Sequence, residues 1–166
     1  MKPRPAAELP YVGLNLDRPG KLLYDTTVYI DVLQDRFPQN AEFLLRSDTW
    51  HSTITEAELA AGYGALNPAH PDTRAARQRI ASAIDSRPAH RILAPDREIW
   101  QFAGLLAGIL ARLQGYNKQD SRRVLNDALL FATARKHGCT VLTRNIKDFD
   151  FLQQLEPSGR ILFYKI

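Results

Sequence analysis

The sequence predicts an α/β fold built on a mainly parallel sheet. Two observations carry this expectation. Short apolar segments of strand length alternate with stretches of helical apolar spacing along the 166 residues, the pattern of a parallel sheet covered on both faces. Acids also recur where strand-like segments give way to helical ones. A third observation is the run beginning at Val124, apolar almost all round as a buried helix is, yet carrying Asp127 among Val124, Leu130 and Phe131. A carboxylate in such a place costs free energy unless something pairs with it.

The bulk composition is that of one globular domain with ample core: 45% apolar and 24% charged residues. A net charge of +4 permits a polyanionic partner without proving one. The lone cysteine, Cys139, excludes an internal disulfide, suits a reducing cytosol and reads as a small core residue. No apolar stretch follows Lys2 and Arg4, so no signal peptide is expected. The longest apolar run, Ile99 to Ala111, is interrupted by Gln101 and too short to span a bilayer. A soluble cytoplasmic protein without membrane contact is the expectation.

In chain order, residues 1–20 hold four prolines and two glycines and read as an N-terminal extension off the core, leaving 21–166 as the domain. Lys21 to Tyr24 reads as a first strand, with Asp25 at its junction to a helix carrying Val28, Ile30, Val32 and Leu33. Phe37-Pro38 ends that helix, and Ala41 to Leu45 starts a short second one. Thr49 to Ile54 reads as the second strand. Thr55 and Glu58 have capping-box spacing for the next helix. Asn67 to Pro71 is a loop, and Asp72 or Thr73 caps a helix closed by Arg87-Pro88. Arg91 to Leu93 reads as a third strand, and Pro95-Asp96 opens a long helix to about Leu113. Gly115 to Gln119 is a turn, Asp120 or Ser121 caps the buried helix, and Gly138 ends it. Thr140 to Leu142 is the fourth strand and Ile161 to Tyr164 the last. Trp50, Trp100 and Phe102 read as core, and no repeat or low-complexity segment interrupts the pattern.

In a parallel sheet the strand C-termini share one edge, so Asp25, Glu58, Asp127, Asn145 and Asp148 can converge there although distant in sequence. Bare carboxylates so placed repel by roughly 4 kcal/mol per pair near a protein surface. A divalent cation removes that cost, and an all-oxygen donor set favours Mg²⁺ or Mn²⁺ over zinc. Singly, Asp25 and Glu58 also read as helix caps and Asp148 as a turn residue; only Asp127 has no such reading. The four histidines share no ligand spacing. No Gly-rich turn follows a strand, against a dinucleotide site. Thr27, where a haloacid-dehalogenase-type phosphatase wants a second aspartate, argues against a phosphoacceptor.

Four segments together resemble the motifs of PIN-domain ribonucleases, and above all the VapC-type toxins of bacterial toxin–antitoxin pairs. They are Leu22-Leu-Tyr-Asp-Thr-Thr-Val-Tyr-Ile-Asp31, Ser52-Thr-Ile-Thr-Glu-Ala-Glu-Leu59, Asn126-Asp-Ala-Leu-Leu-Phe-Ala-Thr-Ala-Arg-Lys-His-Gly138 and Leu142-Thr-Arg-Asn-Ile-Lys-Asp-Phe149. The resemblance implies a three-layer α/β/α domain that cleaves RNA with Mg²⁺ or Mn²⁺. It assigns metal-binding and catalytic roles to Asp25, Glu58 (not Glu56) and Asp127, with Asp148 taking the fourth place beside Asn145. Thr26 and Thr143 match hydroxyls that position acids, water or phosphate. Arg144 and Asn145, flanked by Lys118, Arg122, Arg123 and Lys147, are candidate substrate contacts. A cognate antitoxin and a second copy of the chain are the implied partners. A PIN-like module that binds RNA or protein without cutting is the alternative, supported by Asn145.

Overall fold

Five short strands, β1 (Leu22–Tyr24), β2 (Thr49–Ser52), β3 (Ile92–Leu93), β4 (Thr140–Thr143) and β5 (Arg160–Phe163), pair in parallel in the order β3-β2-β1-β4-β5. The computed structural model describes residues 1–13 and 20–166, the side chains of residues 118 and 119 excepted. Helices α1 (Thr26–Leu33), α2 (Thr53–Ala65), α3 (Thr73–Asp85), α4 (Arg97–Gln114), α5 (Lys118–Lys136) and α6 (Ile146–Leu155) connect and cover the strands.

Alternate residues of a strand point to opposite faces, and this divides the core. Leu23, Val141, Ile161 and Phe163 pack with Leu106 and Leu110 of α4, Phe131 of α5 and Phe149 of α6. Leu22, Tyr24, Leu142 and Leu162 pack on the other side with Val28 of α1 and with Ala41 and Leu44 of a 3₁₀ helix at Gln39–Arg46. The three-layer α/β/α expectation therefore holds. Cys139 is buried, as expected of a small core residue. Glycine is required where α5 ends: Gly138 has φ +66°, a left-handed conformation that L side chains rarely adopt.

Several local expectations are corrected. The second strand ends at Ser52, whose side chain accepts from the Ile54 amide (3.2 Å) and caps α2. The β-branched run Thr53-Ile-Thr55 resembles strand, but the serine's local hydrogen bond makes it the first helical turn. Thr55 is thus no cap; its Oγ1 donates to the Tyr24 carbonyl at 3.2 Å. Glu58 is released from capping and lies one turn further along. Helix α5 begins at Lys118, ahead of the expected caps. Helix α6 was not anticipated at all, since Asp148-Phe-Asp-Phe151 alternates as a strand does. Trp100 is half exposed rather than core.

The N-terminal segment does not stay off the core. Leu9 is buried within it, and Tyr11 bridges in parallel to Phe163 at the β5 edge. Arg4 Nε donates to the fully buried Asp150 of α6 at 2.5 Å, beside an Arg4 backbone bond to the same carboxylate at 2.9 Å. Leu14, Asn15, Leu16, Asp17, Arg18 and Pro19, the remainder of the expected extension before Gly20, lie outside the described residues.

Candidate active site

Adjacency of β1 and β4 at the sheet's centre builds the site. Tyr24 is in register with Leu142, and the next amide, Asp25 N, donates to the Leu142 carbonyl at 3.1 Å. Asp25 and Thr143 therefore leave the two central strands side by side at their C-terminal edge, where open α/β sheets place ligands. Asp25 is buried and serves as cap and site residue at once. Its Oδ1 accepts from Thr26 N (2.8 Å), while Oδ2 accepts from Thr27 Oγ1 and Thr143 Oγ1, both at 2.7 Å. Desolvation raises its pKa, Glu58 adds to the rise, and the three hydrogen bonds oppose it.

Glu58 enters from α2. Its carboxylate accepts from Thr26 Oγ1 and, at 2.8 Å, from Asn126 Nδ2 of α5. Glu56 turns instead to Arg87 (3.5 Å), which separates the two glutamates by role. Asp127 comes from α5 and is half-buried. Burial, then Asp25, Asp148 and Glu58 in that order, push its pKa well up, with Arg123 acting weakly against them. Asn145 caps α6, its side chain accepting from Asp148 N at 3.4 Å. Its amide nitrogen donates to Asp127 (3.1 Å) and to Asp148 (3.3 Å), a neutral donor set between two carboxylates. The Asp148 carboxylate accepts a second bond from Tyr116 Oη at 3.0 Å.

All four acids thus join one hydrogen-bonded network with Thr26, Thr143 and Asn145. The Arg144 guanidinium is held by Asp31 of α1 through Nε and Nη2. Arg122, Arg123 and Lys147 are exposed, and the side chain of Lys118 lies outside the described residues. Sequence reasoning missed Thr27, Asn126, Tyr116 and Asp31. Thr27 and Asn126 sit next to Thr26 and Asp127 and carry no signal of their own. Tyr116 is delivered by the left-handed Gly115 that ends α4. Asp31 had the signal that identified Asp127, an acid within an apolar helical run.

The donor chemistry fits a hard divalent cation: carboxylate oxygens with threonine hydroxyls among them, crowded enough that burial and like charge raise two of the acids. Among the described residues, no three His, Cys, Asp or Glu side chains are arranged as they stand to hold a metal. Their oxygens instead face Thr26, Thr27, Thr143, Asn126, Asn145 and Tyr116. Binding a cation would exchange some of these hydrogen bonds for ligation.

Beside Glu58 lies an apolar groove of about 350 Å³ lined by Ile30 and Leu33 of α1, Leu59 of α2 and Ile80 of α3. Among the described residues no helix is long and apolar enough to cross a membrane.

The family model for the PIN domain matches residues 22–152. Solved structures similar to this chain include FitAcB from Neisseria gonorrhoeae, at 24% identity and TM-score 0.60, over 86% of this chain and 96% of that one. DNA-bound VapBC from Salmonella typhimurium aligns at 21% identity and TM-score 0.60, over 87% and 98%. VapBC2 from Rickettsia felis, bound to a promoter DNA fragment, aligns at 16% identity and TM-score 0.60, over 88% and 99%. At these identities the likeness is one of fold. No curated protein sequence matches the chain.

Proposed function

The chain belongs to the PIN-domain family, and from that premise we propose that it is a metal-dependent endoribonuclease acting as the toxin of a toxin–antitoxin pair. The observation that carries the reading is the convergence of Asp25, Glu58, Asp127 and Asp148 on the C-terminal edge of the sheet. Asp25, Glu58 and Asp127 would hold Mg²⁺ or Mn²⁺, with Asp148 completing the set. When bound, such a cation supplies the charge that polarises a phosphodiester and makes water acidic enough to attack it. Thr143 and Thr27 fix the Asp25 carboxylate, Thr26 and Asn126 fix Glu58, and Asn145 ties Asp127 to Asp148. Exposed Arg122, Arg123 and Lys147 would add salt-sensitive attraction for the RNA backbone.

Two protein partners belong to the proposal. A cognate antitoxin is supported by relatives of this fold solved as VapBC and FitAcB. A second copy of the chain is the other partner, and exposed apolar residues of α4 such as Leu105 offer surface for it to cover. A non-cutting RNA- or protein-binding module is favoured by Asn145 and by the hydrogen-bonded state of the acids. Induction of wild type and Asp25→Asn in growing cells separates the readings. Arrest by wild type alone, with accumulation of defined RNA fragments, supports the nuclease. Arrest by both proteins supports the binding module.

A further inference from the structure

We propose that Asp31 and Arg144 form a brace that positions the catalytic turn Thr143–Asn145, so that Arg144 acts through that turn rather than by touching phosphate. The inference rests on the nuclease reading above. Asp31 is fully buried, at 0% exposure, one helical turn beyond Thr27 on α1. Its carboxylate is saturated. Arg144 Nε and Nη2 donate at 2.8 and 3.2 Å, Tyr164 Oη at 2.8 Å and Arg36 Nη2 at 3.3 Å. The Arg144 pair is bidentate, the geometry that fixes direction as well as distance.

Arg144 stands between the two residues that reach the acids. Thr143 donates to Asp25 at 2.7 Å, and Asn145 donates to Asp127 at 3.1 Å. The Arg144 backbone amide donates to Thr27 Oγ1 at 3.2 Å, and that hydroxyl in turn donates to Asp25 at 2.7 Å. Helix α1 therefore grips the turn twice, through Thr27 at the backbone and through Asp31 at the side chain. Releasing the second grip frees the turn to rotate, and with it the donors that aim Asp25 and Asp127. A buried ion pair adds little net stability over an apolar replacement of the same volume, so the gain from this one lies in fixing geometry. Asp31 and Arg144 are accordingly positioning residues.

The test compares full-length wild type, Arg144→Gln, Arg144→Lys and Asp31→Asn. The readouts are kcat and KM on one RNA at two salt concentrations, and Mn²⁺ affinity by electron paramagnetic resonance titration. The expected result for Arg144→Gln is a kcat lower by about 10- to 100-fold and Mn²⁺ binding weaker by about 10-fold, the usual cost of losing a group that orients metal ligands. KM and its salt dependence should stay within about two-fold, because no ground-state contact is lost. Arg144→Lys, which keeps charge without the fork, should fall between. Arg144 is partly exposed, so its variants carry the test should Asp31→Asn fail to fold.

A raised KM with intact kcat and a shallower salt dependence would overturn the brace in favour of a phosphate contact. Lower thermal stability with kcat and Mn²⁺ affinity retained would overturn it in favour of a purely structural role. In both cases an active wild type leaves the nuclease reading standing. Should wild type bind Mn²⁺ without cutting, the affinities still decide: weaker binding in Arg144→Gln supports the brace, and equal binding overturns it. A wild type that neither cuts nor binds Mn²⁺ overturns the nuclease reading, and the brace with it.

Discussion

Replacing Asp127 with asparagine should stabilise the protein in the absence of metal while abolishing its response to metal. The asparagine oxygen can still accept the Asn145 bond, so the substitution removes charge and little else. Both Asp127 and Asp148 accept from the single Asn145 amide nitrogen, at 3.1 and 3.3 Å, which places those carboxylate oxygens within about 6 Å of each other. Two unit charges at that separation repel by about 3 kcal/mol at an effective dielectric of about 20, and by about 0.7 kcal/mol in water. Asp25 and Glu58 add to the crowding.

The expected gain for Asp127→Asn at pH 8 in chelator is therefore about 1–3 kcal/mol, roughly 3–10 °C in Tm for a domain of this size. Its pH dependence has a definite sign. The folded-state pKa of Asp127 lies above the unfolded value of about 3.9, so the wild-type penalty is absent below that value and grows as pH rises through the folded one. The advantage of the mutant should fade as pH is lowered towards 4. Added Mg²⁺ or Mn²⁺ should raise the wild-type Tm, by about 2.7 kcal/mol of stabilisation at 100 times Kd, and leave the mutant unmoved. Differential scanning calorimetry in chelator and in metal measures both effects. A metal-free mutant less stable than wild type would refute the charge-crowding argument.

Three further predictions concern the frame. His51, half-buried and in contact with Tyr29, has its pKa lowered to about 4 by burial and by Arg87 and Arg91. Stability from this group is complete above about pH 6.5 and lost as pH falls towards 4; after solvent screening it amounts to about 1–2 kcal/mol. Urea midpoints at pH 7 and pH 5 should show that loss in wild type and a smaller one in His51→Gln. Arg4→Ala leaves the buried Asp150 carboxylate to a backbone amide and Gln154, so urea denaturation should register a loss of about 2–4 kcal/mol at neutral pH. Gly159→Ala would drive a methyl into the ring of Phe131, and should cost about 1–3 kcal/mol by the same measurement, with RNA cleavage unchanged in the folded fraction.

The strands were legible because each is a short apolar segment followed by a polar tip, and the five expected strands form the one parallel sheet. Asp25 and Asp127 were legible for different reasons. The first falls at a strand-to-helix junction, and the second has no cap or solvent to explain it. What escaped depends on contacts between segments far apart in sequence. Arg4 meets Asp150 across |i−j| = 146, so proline-rich spacing alone made the N-terminal segment look detached. Helix α6 escaped because buried Asp150 gives its sequence a strand-like alternation, and because its cap, Asn145, reads as a candidate substrate contact. The pairing of Arg144 with Asp31 escaped because the two lie |i−j| = 113 apart.

Cleavage of a structured RNA by purified protein, with and without Mg²⁺ or Mn²⁺, tests the central claim most directly. The account predicts metal-dependent cutting by wild type, no cutting in chelator, and a loss of at least about 100-fold in Asp25→Asn and Asp127→Asn with both variants folded. Undiminished cleavage by either variant, or cleavage by wild type in chelator, would contradict it.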